Sequence, residues 1–363
     1  MKIICTVTND LVQDQRMDRI CSSLTNAGHE VVLVGRQQAD SLPLLNKPYQ
    51  QVRLPLHFQR GKLFYLEYNW RLWRWLNKQS YDVVNSVDLD TLLPGYLASQ
   101  RGKKLVFDAH EYFSETPEVV DRPLVRNIWR RLAQWLIPKA DLCYTVGPAL
   151  ANIFRRQYGV DFGIVRNLPT RSLTTSPTTN LTDQPIILYQ GMLNRGRGLE
   201  AAIEAMRELP QCKLWLVGKG DVENDLRRCS ADLQQQGRVV FKGFLTGKEL
   251  LATTRQATIG LNLLDAVSPS YYYSLANKTF DYLQAGLPSV QMNFPEYRAL
   301  QERYKCFLML PELNASKLAK LLRNTLEHPA VYQQLQSACL RAREDLVWER
   351  EEKRLLALWA SIG

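Results

Sequence analysis

One segment of the chain has the composition of a phosphate-binding turn: IILYQGMLNRGRGLE, at residues 186–200. Its apolar start predicts a buried strand, and its end predicts the first turn of a helix. Arg195 and Arg197 lie just before that helix, where guanidinium groups and backbone amides bind anions together. Glycine allows a sharp turn and a close approach of the backbone to a ligand, and the segment has Gly191, Gly196 and Gly198. The pattern indicates a phosphate site, although an ordinary strand-to-helix turn has the same composition.

The charge and the cysteines of the chain narrow the class of protein. The net charge of +10 favours an anionic partner: a phosphorylated small molecule, a lipid surface or nucleic acid. Nucleic acid is the least supported, because the sequence has no zinc finger, RNP motif or continuous basic arm. The seven cysteines form no CxxC pair, which favours reduced thiols in the cytosol. We expect neither a membrane-spanning helix nor a signal peptide, since the chain opens on the strand-like MKIICTVTND.

Strands and helices alternate through the first half of the chain. A βαβ unit is predicted from a strand at 2–7, a helix at 15–27 that Gly28 ends, and a strand at 29–35. Further strands are predicted at 82–86, 104–108, 142–146 and 163–166. Such alternation predicts a parallel sheet that is covered on both faces.

A stretch rich in Ser, Thr and Pro at 168–184 predicts an interdomain linker, after which the alternation starts again. Strands are predicted at 186–189, 213–217, 239–241, 259–263 and 288–291, and helices at 199–208, 222–236, 247–254 and 277–285. We therefore expect an α/β protein of two doubly wound domains, 1–167 and 185–344, which face a central cleft. Ligands of such sheets bind outside the carboxyl ends of the strands.

Four blocks of the second half occur in an order that is typical of one enzyme family. They are GMLNRGRG (191–198), LVGKGD (216–221), the stretch from VVFKGF to GLNLL (239–264) and ANKTFDYLQAGLPSV (276–290). In the first half, VVNSVDLDTLLPGYLA and KLVFDAHEYFSE match more loosely. The chain resembles the retaining glycosyltransferases of family four. The resemblance implies the GT-B fold of two Rossmann-like domains, with a last helix at about 345–363 that packs back onto the first domain.

The resemblance implies a UDP- or GDP-sugar as donor, and the family neutralises the departing diphosphate without a metal ion. We expect no cofactor and no metal. Arg197 takes the place of the family's Lys, Lys278 lies in the first turn of a helix, and both are expected to act in catalysis with His110. Further donor contacts are implied at Gly191, Asn194, Arg195, Gly218, Gly220, Phe244, Leu245, Tyr273, Ser274 and Asp281.

The sequence departs from the family pattern at several donor positions. Met192 replaces the leading Arg of the glycine-rich turn. In the Glu-x7-Glu motif, Tyr273 replaces the first acid and Asp281 the second. NDLVQDQRMDR stands where the family has a Gly-Gly loop after the first strand. These changes concern the donor-sugar contacts more than the fold.

Three residues of the first half follow predicted strands at their carboxyl ends. His110 resembles the histidine that faces the donor sugar in the family, where an imidazole hydrogen-bonds hydroxyl groups. Glu111 is expected to orient the acceptor, or else to be solvated. Arg16 is expected to reach the diphosphate across the cleft, and a local ion pair with Asp14 or Asp18 explains it equally well.

Two predicted helices of the first half are basic and rich in Trp: FYLEYNWRLWRWLNK and RPLVRNIWRRLAQWLIPK. One stripe of the first holds Leu66, Trp70, Trp73 and Asn77, with Trp75 roughly opposite. One face of the second holds Val125, Ile128, Trp129, Leu132, Trp135 and Leu136, with Arg126, Arg130 and Arg131 on the other. Packing onto the sheet explains most of the apolar residues. The arginines and Trp75 favour an anionic membrane surface near a lipid-linked acceptor.

The sequence thus predicts a metal-independent glycosyltransferase of cell-envelope or exopolysaccharide synthesis, in the cytoplasm or on the inner face of the cytoplasmic membrane. Its acceptor is expected to be a saccharide or a lipid-linked sugar. A sugar-nucleotide epimerase or hydrolase on the same fold stays open. So does a non-catalytic protein that binds nucleotide sugars or membranes, because Tyr273 replaces an acid. The donor base, the acceptor and the oligomeric state are not encoded in any motif.

Overall fold

The computed structural model describes residues 1–12, 14–100, 102–171 and 181–362, in two compact units. Unit 1 comprises Met1–Asn167 together with Trp348–Gly363, and unit 2 comprises Leu168–Val347. The linker predicted at 168–184 falls in part on residues 172–180, which lie outside the described residues.

Unit 1 is built on a sheet of seven strands, all of whose pairings are parallel, in the order β3-β2-β1-β4-β5-β6-β7. Five of the strands are largely buried, as a sheet covered by helices on both faces requires. The strands are β1 (Lys2–Thr6), β2 (Glu30–Arg36), β3 (Gln50–Leu54), β4 (Val83–Val87), β5 (Lys104–Ala109), β6 (Leu142–Thr145) and β7 (Gly163–Ile164).

The helices of unit 1 lie between these strands in the chain. The Asp14 side chain caps the first of them by accepting a hydrogen bond of 2.9 Å from the Met17 amide. They are α1 (Gln15–Asn26), α2 (Gly61–Leu76), α3 (Leu89–Ser99), α4 (Pro117–Val120), α5 (Pro123–Leu136) and α6 (Pro148–Tyr158). The last helix of the chain, Trp348–Ala360, also belongs to this unit, where Leu355 and Trp359 join the core formed by β1 and α1.

Unit 2 has a sheet of six parallel strands in the order β10-β9-β8-β11-β12-β13. Its strands are β8 (Ile186–Gln190), β9 (Lys213–Val217), β10 (Val239–Gly243), β11 (Ile259–Asn262), β12 (Ser289–Met292) and β13 (Phe307–Leu310). Its helices are α7 (Leu199–Arg207), α8 (Glu223–Cys229), α9 (Ala231–Gln235), α10 (Gly247–Gln256), α11 (Pro269–Tyr272), α12 (Asn277–Ala285), α13 (Pro295–Tyr304), α14 (Ala315–Glu327) and α15 (Pro329–Asp345), followed by α16 (Trp348–Ala360) of unit 1.

The two doubly wound parallel sheets that the sequence predicts are confirmed, with differences at single elements. The helix expected at 222–236 is two short helices, because the chain breaks at Ser230, whose hydroxyl donates to the Leu226 carbonyl at 2.7 Å. The strands β3 and β13 are additional to the predicted set. No helix in the described part of the chain combines the length and the apolar character needed to cross a bilayer.

Candidate active site

In unit 2, the strand order changes direction between β8 and β11, so the loops that leave their carboxyl ends diverge and open a crevice. The glycine-rich turn follows β8, and the segment from β11 to the start of α12 lies beside it. The Gly196 carbonyl accepts a hydrogen bond of 2.9 Å from the Asp265 amide, which joins the two segments. The sequence-predicted phosphate turn therefore lies at the topological switch point of its sheet.

The glycines after β8 and β9 allow two loops to pack backbone against backbone. A Cβ atom at Gly218 would lie 1.8 Å from the carbonyl oxygen of Gly191, and one at Gly220 would lie 2.4 Å from that of Leu193. The Gly191 amide donates to the Val217 carbonyl at 2.9 Å. The sequence predicts these three glycines, Gly191, Gly218 and Gly220, as donor contacts. In the structure they allow the two loops to pack closely.

Two cations lie at this switch point. The Lys278 side chain, in the first turn of α12, is 8% exposed, and its Nζ lies 3.7 Å from the ring centre of Tyr189. The Arg197 guanidinium carbon lies 4.6 Å from the ring centre of Tyr271, and its Nε is buried without a hydrogen-bond partner. Neither cation is within ion-pair distance of an acid among the described residues. Burial lowers the pKa of Lys278 well below its usual value, and the charge of Arg197 lowers it further.

The polar residues around α12 are partly engaged within unit 2. Asp281 Oδ2 accepts a hydrogen bond of 3.2 Å from the side chain of Gln190. The Ser274 hydroxyl donates to the Tyr271 carbonyl at 2.8 Å, while the Tyr273 ring packs edge-on against Tyr272. The loop before α12, which holds the predicted donor contacts Tyr273 and Ser274, follows the one-turn helix α11.

Four further predicted donor contacts lie in the loops that follow β10 and β8. Phe244 follows β10 and is exposed, and Lys219 Nζ lies 5.1 Å from its ring centre. Leu245 is half-buried and packs against a small apolar cluster that includes Val217. In the glycine-rich turn, Asn194 Oδ1 accepts a hydrogen bond of 3.3 Å from the Asp221 amide, while Arg195 is exposed. Lys219 was not among the predicted site residues. Its position between Gly218 and Gly220, both predicted donor contacts, could have indicated it.

In unit 1, His110 follows β5 and lies between two carboxylates. Its Nε2 lies 3.1 Å from Asp108 Oδ2, and its backbone amide donates to Asp88 Oδ1 at 2.8 Å. The second oxygen of Asp88 lies 3.7 Å from His110 Nδ1. Asp88 follows β4, the neighbour of β5, so the register of the two strands brings these side chains together. The sequence reasoning missed Asp88 and Asp108, although both occur beside the carboxyl ends of predicted strands.

The charges in this cluster determine its protonation. Burial favours the neutral form of His110, but the carboxylates of Asp108 and Asp88 outweigh burial, and the pKa of His110 is raised. Burial also opposes the charge of Asp108, but Arg16 and His110 outweigh it, so the pKa of Asp108 is lowered. Burial and the nearby Asp88 raise the pKa of Asp90 to about 7. The imidazole is therefore held as a cation over a wider pH range than a free histidine.

Arg16 lies elsewhere than the sequence suggests. Its guanidinium is 4% exposed, and it donates to Asp108 Oδ1 at 2.7 Å and to the Val165 carbonyl at 2.8 Å. Its acid partner is thus Asp108 rather than Asp14 or Asp18, and its task is to support the carboxylate next to His110. Glu111 lies beside His110 and is exposed, and both of its predicted roles, an acceptor contact or a solvated residue, stay open.

Comparison with family models gives two adjacent matches. Residues 14–169 match the model described as Glycosyltransferase Family 4, and residues 184–328 match the model described as Glycosyl transferases group 1. Among characterised sequences, the chain is 36% identical over 62 residues to the lipopolysaccharide core biosynthesis glycosyltransferase LpsE of Rhizobium meliloti. An uncharacterized glycosyltransferase of Methanocaldococcus jannaschii is 30% identical over 111 residues. These matches span 17% and 30% of this chain and only 18% and 27% of the relatives.

Solved structures share the fold along the whole chain. Sucrose-phosphate synthase from Thermosynechococcus elongatus superposes with a TM-score of 0.80 at 18% identity, over 100% of this chain and 99% of that one. HepE from Anabaena in complex with UDP-glucose gives a TM-score of 0.78 at 17% identity, over 99% and 100%. At such identities the likeness establishes the fold. The chain thus contains a region that matches the Family 4 model, followed by one that matches the group 1 model, on the fold that GT-B glycosyltransferases share.

Proposed function

We propose that the protein transfers a sugar, with retention of configuration, from a UDP- or GDP-sugar to a saccharide or lipid-linked acceptor of the cell envelope or of an exopolysaccharide. The observation that carries this proposal is that Arg197 and Lys278 lie together at the switch point of unit 2, with no acid within ion-pair distance in the described part of the chain. Cleavage of the donor leaves negative charge on the departing diphosphate, which two fixed cations stabilise. HepE was solved with UDP and with UDP-glucose, and LpsE acts in lipopolysaccharide core synthesis, which supports the donor and acceptor classes.

The donor proposal is tested by Arg197→Ala, with Arg228→Ala as the matched control. Arg228 is an exposed arginine of α8 in the same unit and pairs with Asp225, its neighbour on that helix. Transfer of labelled sugar from UDP-glucose and GDP-mannose is measured against a panel of oligosaccharides and polyprenyl-diphosphate sugars. We expect Arg197→Ala to lose about 2–4 kcal/mol of transition-state stabilisation and the control to keep full rate. Free or epimerised sugar as the main product of the unchanged protein would support the hydrolase or epimerase instead.

We propose that no divalent metal takes part, because the two cations already supply the positive charge that a metal would bring to the diphosphate. Transfer is expected to keep its rate in excess EDTA. A loss of activity in EDTA that Mg²⁺ restores would contradict this. Retention rests on the family resemblance, and the anomeric coupling constant of the product in proton NMR tests it directly.

We propose further that the protein works in the cytoplasm, attached to the inner face of the membrane, and that unit 1 carries the attachment. The apolar stripe of α2 that sequence reasoning assigned to packing is in fact its exposed face, with Leu66 at 68% and Trp70 at 52% exposure. The residues of α2 that pack into unit 1 are Phe64, Tyr68, Leu72 and Leu76. Trp75, which the sequence placed opposite the stripe, is half-buried.

The helix α5 continues this surface. Leu124 is 80% exposed and Ile128 66%, and both lie on one stripe with the exposed Trp135. Tyr65 of α2 packs edge-on against Trp129 of α5, with ring centres 5.5 Å apart, so the two helices are neighbours. We call this surface the tryptophan face, defined by Leu63, Leu66, Trp70 and Trp73 of α2 with Leu124, Ile128 and Trp135 of α5. Exposed apolar groups of this extent mark an interaction site.

The charge around the tryptophan face selects an anionic bilayer as its occupant. Helix α5 has no acid, and the one acid of α2, Glu67, pairs with Arg71 at 2.8 Å. Arg126 and Arg130 are not free for lipid, contrary to the sequence reasoning, because both pair with the buried Glu115. Four other basic residues flank the face and are exposed, at Lys62, Arg74, Arg122 and Arg131. Basic residues beside aromatic ones are typical of surfaces that lie on anionic lipid.

Flotation tests this attachment with phosphatidylcholine vesicles, with and without phosphatidylglycerol, at low salt. We expect binding only to the acidic vesicles, a loss of binding in Trp70→Ser/Ile128→Ser, and normal binding in Leu45→Ser, an exposed leucine outside both helices. Absence of binding to acidic vesicles, or binding that survives the double substitution, would reject the tryptophan face as the membrane contact. Neither result depends on transfer activity.

A further inference from the structure

The residue that joins β4 to α3 has a backbone conformation that glycine normally occupies. Asp88 has φ 57° and ψ 171°, a region that costs a residue with a side chain about 1–3 kcal/mol. The turn is tight because Val87 is the last residue of β4 and Leu89 is the first residue of α3. A glycine would make the same turn without strain. The carboxylate at this position therefore needs an explanation of its own.

Helix capping does not supply that explanation. Asp88 is the N-cap residue of α3, a position at which an Asp side chain ordinarily accepts a hydrogen bond from an amide of the first turn. Its carboxylate makes no such bond. It turns instead to the neighbouring strand end, where Oδ1 accepts from the His110 amide at 2.8 Å and Oδ2 lies 3.7 Å from His110 Nδ1. The Asp88 amide donates to the Asp108 carbonyl at 2.9 Å, which ties the turn to β5.

The charges around the imidazole form two matched pairs. Arg16 pairs with Asp108, which is fully buried, while Asp88 has His110 as its nearest cation. The groups that face the ring are Asp108 from β5, Asp88 from the turn after β4, Asp90 from α3, Arg16 from α1 and the adjacent Glu111. Asp108 is within hydrogen-bond distance of Nε2, and Asp88 is the acid that faces the Nδ1 side of the ring.

We propose that Asp88 is a positioning residue: its strained turn places a carboxylate that holds the backbone of His110 and keeps a negative charge on the Nδ1 side of its ring. The inference rests on the proposed function and on the expectation from the sequence that His110 faces the donor sugar. The backbone strain costs stability, and the hydrogen bond that the carboxylate accepts from the His110 amide offsets that cost. Replacement by glycine removes both, so it should change activity far more than stability. A merely structural residue would lose stability and activity together.

The test compares Asp88→Gly and Asp88→Asn with Asp161→Asn, an exposed aspartate of the same unit. We expect Asp88→Gly to unfold at about the same temperature as the unchanged protein, since relief of the strain offsets the loss of the hydrogen bond from the His110 amide. We expect kcat to fall about tenfold or more in both Asp88 variants, with a smaller change in KM for the donor. Asp161→Asn should change neither quantity.

A second readout needs no activity and so separates failure of this inference from failure of the proposed function. The chain has four histidines, and the His110 ring signals are assigned in NMR by their loss in His110→Asn. Removing the charge of Asp88 should lower the titration midpoint of His110 in the free protein. An unchanged His110 titration in Asp88→Asn, or a loss of thermal stability in Asp88→Gly, would overturn the inference.

Discussion

We expect the titration of Lys278 to determine the pH dependence of donor binding. Its pKa is well below the usual lysine value because of burial and, next, because of the charge of Arg197. A bound diphosphate favours the protonated form, so binding raises this pKa and takes up a proton. Affinity for UDP should therefore fall as the pH rises through the pKa of the free protein, below the range in which an ordinary lysine titrates.

Calorimetry from about pH 7 to about pH 10, in buffers of different ionisation enthalpy, measures both the affinity and the proton uptake. Lys278→Arg is the matched variant, because arginine keeps its charge over this whole range. It should bind UDP with little pH dependence. Equal pH dependence in the two proteins would show that another group titrates.

Single residues differ in how far the sequence reveals them. Arg197 and Lys278 stand in blocks with readable spacing, and the structure brings both to one switch point. Asp88 and Asp108 cannot be recognised in that way. They come together because β4 pairs with β5 and because Asp88 has a positive φ, and the sequence shows neither. The ion-pair partner of Arg16 could not be predicted either, because Asp108 is 92 residues away in the chain.

At the scale of elements, the loops after β8 and β9 depend on glycine for their contact. Gly218→Ala places a Cβ atom 1.8 Å from the Gly191 carbonyl oxygen, so the turn after β8 must move. We expect unit 2 to lose about 1–3 kcal/mol or more of stability and UDP affinity to fall with it. Urea unfolding and calorimetry measure the two effects.

Gly237→Ala is the control, since Gly237 also has a positive φ but has no atom within 4 Å of the added Cβ. It should cost only the backbone strain, about 1–2 kcal/mol, and should leave UDP affinity unchanged. Equal UDP affinity in Gly218→Ala and the unchanged protein would show that the packing of these loops does not shape the site.

Elements with strong apolar periodicity are the ones that the sequence predicts well. The strand β3 lies at the edge of its sheet and has the sequence QQVRL. It was not predicted because its polar side chains lack the apolar run that is typical of a buried strand. The helices α2 and α5 are correctly predicted as helices, but the buried face of α2 is not. Apolar residues lie on all sides of α2. The spacing of its apolar residues therefore does not distinguish the face that packs into unit 1 from the exposed face.

At the scale of the whole molecule, the chain returns to unit 1 after completing unit 2. Trp348 Nε1 donates to the Ser23 hydroxyl at 3.0 Å, and Trp359 is buried against the core of unit 1. Trp359→Ala should destabilise unit 1 by about 3–5 kcal/mol, as expected for the loss of a large buried side chain. Trp70→Ala, at an exposed tryptophan, should stay within about 0.5 kcal/mol in the same urea titration. Equal effects of the two substitutions would contradict the packing of α16.

The alternation of strands and helices predicts both sheets and their helical layers, because the pattern repeats along the whole chain. The resemblance, rather than any local pattern, implied the final helix. In the structure that helix starts at Trp348, after α15 ends at Asp345. The sequence places its start about three residues earlier, at about 345, since the short break before Trp348 contains no glycine or proline.

The central claim is that Arg197 and Lys278 hold a nucleoside diphosphate by fixed positive charge. The most direct test is calorimetric titration of the protein with UDP and GDP in EDTA, beside Arg197→Ala/Lys278→Ala and the Arg228→Ala control. We predict one diphosphate bound per chain, unchanged in the control and lost in the double variant. Absence of binding to either nucleotide, or equal affinity in the double variant, would contradict the account.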